Sequence, residues 1–133
     1  MSLDQIKCMV QNGMYVGSHG WDHYWLNQVS QQKQEQEIGL SLQFLSQTGS
    51  SLENWVMCYP FGSYNDSLVQ IMKSKNCKLA LTTQADIAVL NKENAFTLPR
   101  LDTNDLPKSP EALANGWTQK VLKGLKDQQN IHC

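Results

Sequence analysis

The chain has 133 residues, 41% of them hydrophobic and 17% charged, with 11 Lys plus Arg against 12 Asp plus Glu for a net charge of −1. That is enough apolar material for one core, so residues 1–133 are read as one domain. The charge balance excludes the basic footprint that a nucleic-acid backbone demands, the apolar runs fall far short of the roughly 20 residues that span a bilayer, and the first residues lack a basic-then-apolar export pattern.

In chain order, Leu3, Ile6, Met9 and Val10 recur at helical spacing before Asn12-Gly13 and predict a helix over 3–12. Met14 to Ser18 reads as a strand. Ser30 is a helix cap, and Ile38, Leu42 and Leu45 form one face of a long helix that stops at Thr48-Gly49. The Gln-rich first half of that helix reads as a solvated face. Trp55 to Tyr59 is a continuous apolar run, as in a strand buried on both faces, and Pro60-Phe61-Gly62 ends it. Asn65 or Asp66 caps a helix over Leu68, Val69, Ile71 and Met72. Lys78 to Thr83 is a further strand, Phe96-Thr97-Leu98 a shorter one, and Glu111 to Lys126 a closing helix. This alternation predicts an α/β fold with a mainly parallel sheet. The four cysteines are widely spaced, with no C-x-x-C pair, and read mostly as free thiols.

Ligands of such sheets gather at the carboxyl ends of the strands. His19 and His23 follow the first strand, Tyr59 to Gly62 the second, and Thr82-Thr83 the third, so all three fall on one rim. An H-x-x-x-H spacing brings two imidazoles to one cation if the residues between them form a helical turn. Two histidines among Trp21, Tyr24 and Trp25 are also what a packed loop contains, and the spacing alone does not separate these readings.

The stretches "GSHGWDHYWL" and "CYPFGSYND" together resemble the polysaccharide deacetylase family, the NodB-homology domains that remove N-acetyl groups from sugar polymers. His19 and His23 fall on the two metal-binding histidines of an H-[ST]-x-x-H motif, with Gly20 in the Ser/Thr position. Cys58 to Gly62 falls on R-x-P-[YF]-G, with Cys58 in the place of the arginine. The resemblance implies a distorted (β/α) barrel and a divalent cation, zinc, completed by an aspartate. It also implies a second aspartate as general base and a backbone N–H, here that of Phe61, stabilising the oxyanion. Tyr59, Pro60 and Trp21 are expected to line the sugar site.

No Asp-Asp pair, the family's first motif, occurs in the sequence. The expectation is therefore an incomplete barrel, a truncated deacetylase domain that holds its metal weakly and hydrolyses poorly. Arg100 is a substitute for the missing arginine, or an ordinary surface residue. Asp102 to Leu106 resembles a D-x-x-D-W motif, which makes Asp102 a catalytic candidate; the alternative is an Asx-rich turn before Pro107. His132 stands where the family carries its general acid. The implied partner is an N-acetylated polysaccharide or oligosaccharide, and the family's usual setting is extracytoplasmic. The rival reading is a non-catalytic glycan-binding or oligomerising module, since an open barrel edge invites a homodimer or larger assembly.

Overall fold

The computed structural model describes residues 1–89, 91 and 94–129. Its elements are α1 (Leu3–Gln11), α2 (Gln31–Thr48), β1 (Trp55–Cys58), α3 (Asp66–Ser74), β2 (Cys77–Leu81) and α4 (Gly116–Gln129), with 3₁₀ turns at Leu26–Gln28, Pro60–Gly62 and Thr103–Asp105. β1 and β2 run parallel, and two parallel bridges extend the order on either side: Ser18 beside Met57 and Leu98 beside Leu81. The fold is α/β, and the described sheet is parallel as expected.

Capping chemistry sets the helix ends. Ser2 and Gln5 form a capping box on α1, Ser30 Oγ accepts from the Lys33 N–H, Gly49 closes α2 at φ +85°, and Asn65 Oδ1 accepts from the Leu68 N–H. Two predicted strands are shorter than expected. In Met14 to Ser18 only Ser18 joins the sheet, and the Tyr15 hydroxyl accepts from the Val56 N–H at 2.6 Å, so a side chain replaces a rung of backbone ladder. In Phe96 to Leu98 only Leu98 pairs; Pro99, which has no N–H, follows it. The closing helix starts at Gly116 rather than Glu111, because Asn115 Oδ1 accepts from the Thr118 N–H and caps it there.

The core lies on one face of the sheet. Trp55, Met57 and Tyr59 point into it with Ala80 and meet Leu26, Ile38, Leu68, Ile71 and Met72. Each such buried aliphatic side chain contributes roughly 1.5–3 kcal/mol. Val56 and Cys58 point the other way and are only half-buried, which corrects the expectation of a strand covered on both faces. That second face borders the cleft described below. The Gln-rich half of α2 has its solvated face in Gln31, Gln32, Glu35 and Gln36, while Gln34 and Glu37 on the other face are wholly buried. Gln34 Nε2 donates to the Leu26 carbonyl at 2.7 Å and to Asn65 Oδ1 at 3.1 Å, and its Oε1 accepts from Ser67 Oγ.

Among the described residues, Cys8, Cys58 and Cys77 are free thiols, and burial pushes the Cys77 thiol up to about 12. No helix among the described residues is long and apolar enough to cross a membrane.

Candidate metal centre

The three strand-end segments do converge. A cleft of about 490 Å³ is lined by Tyr15, Gly17, Ser18, His19, Cys58 and Arg100, with Val56 and Leu81 at its floor. The Pro60–Gly62 turn packs directly on Thr83, a contact that only a residue without Cβ permits at Gly62.

His19 Nδ1 lies 2.7 Å from the Cys58 carbonyl oxygen. A carbonyl only accepts, so Nδ1 carries the proton and Nε2 is left with its lone pair. His23 Nε2 sits 3.0 Å from His19 Nε2, close enough to donate a hydrogen bond to that lone pair when it carries the proton. Two imidazoles on one zinc ion, at about 2.0–2.1 Å each, have nitrogens about 3.3 Å apart in tetrahedral geometry. The two Nε2 atoms, at hydrogen-bond distance from each other here, stand about 0.3 Å inside the separation that a shared cation requires, and the Cys58 carbonyl holds His19 in the ligating tautomer. To ligate as well, His23 has to carry its own proton on Nδ1. The donor set fits a cation in part, because among the described residues no third His, Cys, Asp or Glu joins the pair.

No helical turn produces this convergence. The loop 19–25 is irregular, with Gly20 at φ +78° and His23 at φ +58°. It is fastened to α2: Glu37 Oε2 accepts from the Trp21 N–H at 3.1 Å and the Asp22 N–H at 2.8 Å, and Lys33 Nζ lies 3.0 Å from Glu37 Oε1 and 3.6 Å from Asp22 Oδ2. Burial pushes the Glu37 carboxyl up, but the Asp22 N–H, the Lys33 ammonium and the Trp21 N–H outweigh it and hold the group below the usual carboxylate range. Lys33 also lies over the Tyr24 ring at 4.8 Å.

The other sequence-predicted residues divide. Phe61 is half exposed at φ +56°, with its ring edge-on to His23 (4.6 Å between centroids) and stacked on Trp25 (4.4 Å, 3° between planes). Arg100 lines the cleft with His19, its Nε donating to the Thr82 carbonyl. Pro60 is buried beneath Gly20 and supports the loop. Tyr59 is not a wall of the site: it is 1% exposed and its hydroxyl donates to the Phe96 carbonyl at 3.0 Å, so the apolar alternation of β1 claims it for the core. Trp21 turns edge-on to Phe44, 6.3 Å between centroids, and away from the Trp25–Phe61 pair.

Asp102 forms a capping box with Asp105 on the 3₁₀ turn. Asn104 donates to the Asp102 carboxylate and holds it below its usual range, and the residue does not line the cleft with His19. The Asx-turn alternative thus describes its position. His132 lies outside the described residues. Trp25 and Glu37 went unrecognised as site residues. The stripe Gln34, Ile38, Ser41, Leu45 and Thr48, with Glu37 beside it, is one helical face, and that periodicity was the available signal for Glu37.

Parallel strands whose carboxyl ends meet beside a converged histidine pair define an α/β domain with a strand-end cleft. Residues 1–80 match the family described as Polysaccharide deacetylase, and the chain belongs to that family. It is 27% identical over 88 residues to the Bacillus subtilis (strain 168) protein YxkH, whose name places it among polysaccharide deacetylases; the match takes in 66% of this chain and 31% of YxkH. It is similar to the structure of the Streptococcus pyogenes deacetylase PplD in complex with acetate, at 30% identity and a TM-score of 0.70, over 92% of this chain and 50% of that one. The fold also matches a family 4 carbohydrate esterase from Streptomyces lividans in complex with acetate, at 20% identity and a TM-score of 0.56, over 63% of this chain and 43% of that one. The chain thus spans half or less of the length of these relatives.

Proposed function

We propose that this chain provides the histidine side of a glycan N-deacetylase site, built on an incomplete (β/α) barrel, in which His19 and His23 hold a divalent cation, zinc. The observation that carries the reading is the 3.0 Å approach of the two Nε2 atoms, one of them oriented by the Cys58 carbonyl. A cation bound there supplies Lewis acidity and a more acidic water. The Phe61 N–H, at the adjacent turn, is the donor assigned to the acetamide oxygen as charge develops on it. Arg100 adds positive charge to the same cleft. None of the described residues lining that cleft is a carboxylate, so the general base is the missing part and the chain on its own is a poor catalyst.

Zinc should bind weakly, and more tightly as pH rises, because only neutral imidazole ligates. Titrating zinc while following the His19 and His23 imidazole resonances checks this. His19→Ala should abolish saturable binding, whereas equal binding by the variant would remove the basis of the proposal.

The exposed Trp25–Phe61 stack favours a second reading, a glycan-binding module without chemistry. Its flat apolar face beside the histidines suits the face of a pyranose ring, and binding there requires no base. Saturable binding of an N-acetylated oligosaccharide without acetate release would select it.

Assembly is the third element of the proposal. Met14 and Tyr15 stand 56% and 62% exposed beside a segment that joins the sheet only at Ser18. A second copy covering this strip buries apolar surface and satisfies the adjoining backbone. Light scattering over a dilution series should therefore give a dimer or larger species, and a monomer of 15.1 kDa throughout would refute it.

A further inference from the structure

We infer that Glu37 is a positioning residue for the histidine pair: its carboxylate, reaching from α2, sets the loop geometry in which the two imidazoles meet. Three observations support this. Glu37 is wholly buried, an unusual site for a carboxylate without a specific task in local structure. Its Oε2 accepts from two consecutive N–H groups, those of Trp21 and Asp22, which lie between the two histidines. The other contacts on the loop, Ser18 Oγ accepting from the Gly20 N–H, Pro60 beneath Gly20 and Phe61 against His23, hold its flanks and not the Trp21–Asp22 backbone. His23 is in the left-handed region at φ +58°, which a residue with a side chain does not adopt without support.

The geometry separates the parts played by neighbouring groups. The Cys58 carbonyl orients His19, and nothing in that contact fixes His23. His23 follows directly on Asp22, so the bond from Glu37 to the Asp22 N–H is the anchor adjacent to it. Lys33 neutralises Glu37 from the opposite oxygen and pairs with Asp22, so the charge is compensated without withdrawing Oε2 from the loop. Shortening the side chain by one methylene keeps the charge but withdraws Oε2 from its two donors. Replacing the carboxylate by an amide keeps an acceptor oxygen and loses the charge.

The experiment uses the full chain and the variants Glu37→Asp and Glu37→Gln, each shown to be folded by its far-UV spectrum and thermal transition. In metal-free protein, NOE contacts between the His19 and His23 ring protons report the approach directly. They should be lost in Glu37→Asp and retained in Glu37→Gln. Zinc affinity at the two imidazoles should fall about 10- to 100-fold in Glu37→Asp, as for other groups that orient a ligand, and recover to within about threefold of the parent in Glu37→Gln. Persistence of the ring contacts in folded Glu37→Asp overturns the inference, as does their loss in Glu37→Gln. The zinc arm rests on the metal reading proposed above and the NOE arm does not. Absence of zinc binding in the parent protein would therefore refute that reading, while the ring contacts still decide the role of Glu37.

Discussion

With zinc in excess, the isolated chain is expected to release acetate from N-acetylated oligosaccharides about 100- to 10,000-fold more slowly than a deacetylase that has its carboxylate base. The cleft beside His19 offers a thiol, a guanidinium, a phenol, a serine hydroxyl and one imidazole, and no carboxylate among its described lining. A guanidinium only donates hydrogen bonds and offers no lone pair to a proton. The His19 imidazole cannot serve as base while its Nε2 faces a cation and its Nδ1 bonds to Cys58. Acetate release measured against a base-containing deacetylase under identical conditions checks this. A rate within tenfold would mean that Asp22, Asp102 or Asp105 acts as base, and replacing each by Asn would identify which.

Gly62→Ala is expected to cost about 2–5 kcal/mol, a large share of the roughly 5–15 kcal/mol that holds a domain of this kind together. A Cβ at Gly62 would collide with Thr83 Oγ1 and lie 2.8 Å from the Thr83 backbone nitrogen, so the segment after β2 has to move. The φ of +71° adds about 1–2 kcal/mol for any residue with a side chain, and forced repacking about 1–3. Gly39, inside α2, is the control: a Cβ there would meet nothing within 4 Å, and Gly39→Ala should stabilise by about 0.5–1 kcal/mol. Urea unfolding separates the two if the midpoints shift in opposite directions at constant slope. A Gly62→Ala midpoint near that of the parent protein would show that the Thr83 segment yields freely.

Much of this was legible in the sequence wherever one local rule acted alone. Ser30, Gly49 and Asn65 marked helix ends because capping is a short-range effect, and the alternation of helices and strands gave the parallel sheet. The His19–His23 loop, the Pro60–Gly62 turn and Thr83 lie together because strand ends in such sheets share a rim. What was not legible depended on contacts across the fold. Tyr59 looked like a rim aromatic from its motif position, yet strand alternation directs it to the core. Met14 to Ser18 had the composition of a strand, but the Tyr15 hydroxyl took the place of the ladder bond to Val56. The histidines were expected to converge through a helical turn, and they converge through a loop whose anchor, Glu37, lies in a stretch of glutamines that resembled a solvated face.

His23 and Phe61 both hold left-handed backbone angles, and their rings are in contact. Each angle stores about 1–2 kcal/mol, which the ring contacts and the anchored loop offset. If either backbone relaxes, its ring leaves the stack and the other loses its support. Two segments far apart in sequence are thus joined at one contact and are expected to open together, below the free energy of global unfolding, which hydrogen exchange at the loop amides would check. On the glycan-binding reading proposed above, a sugar on the Trp25–Phe61 face would steady Phe61 and, through the ring contact, His23.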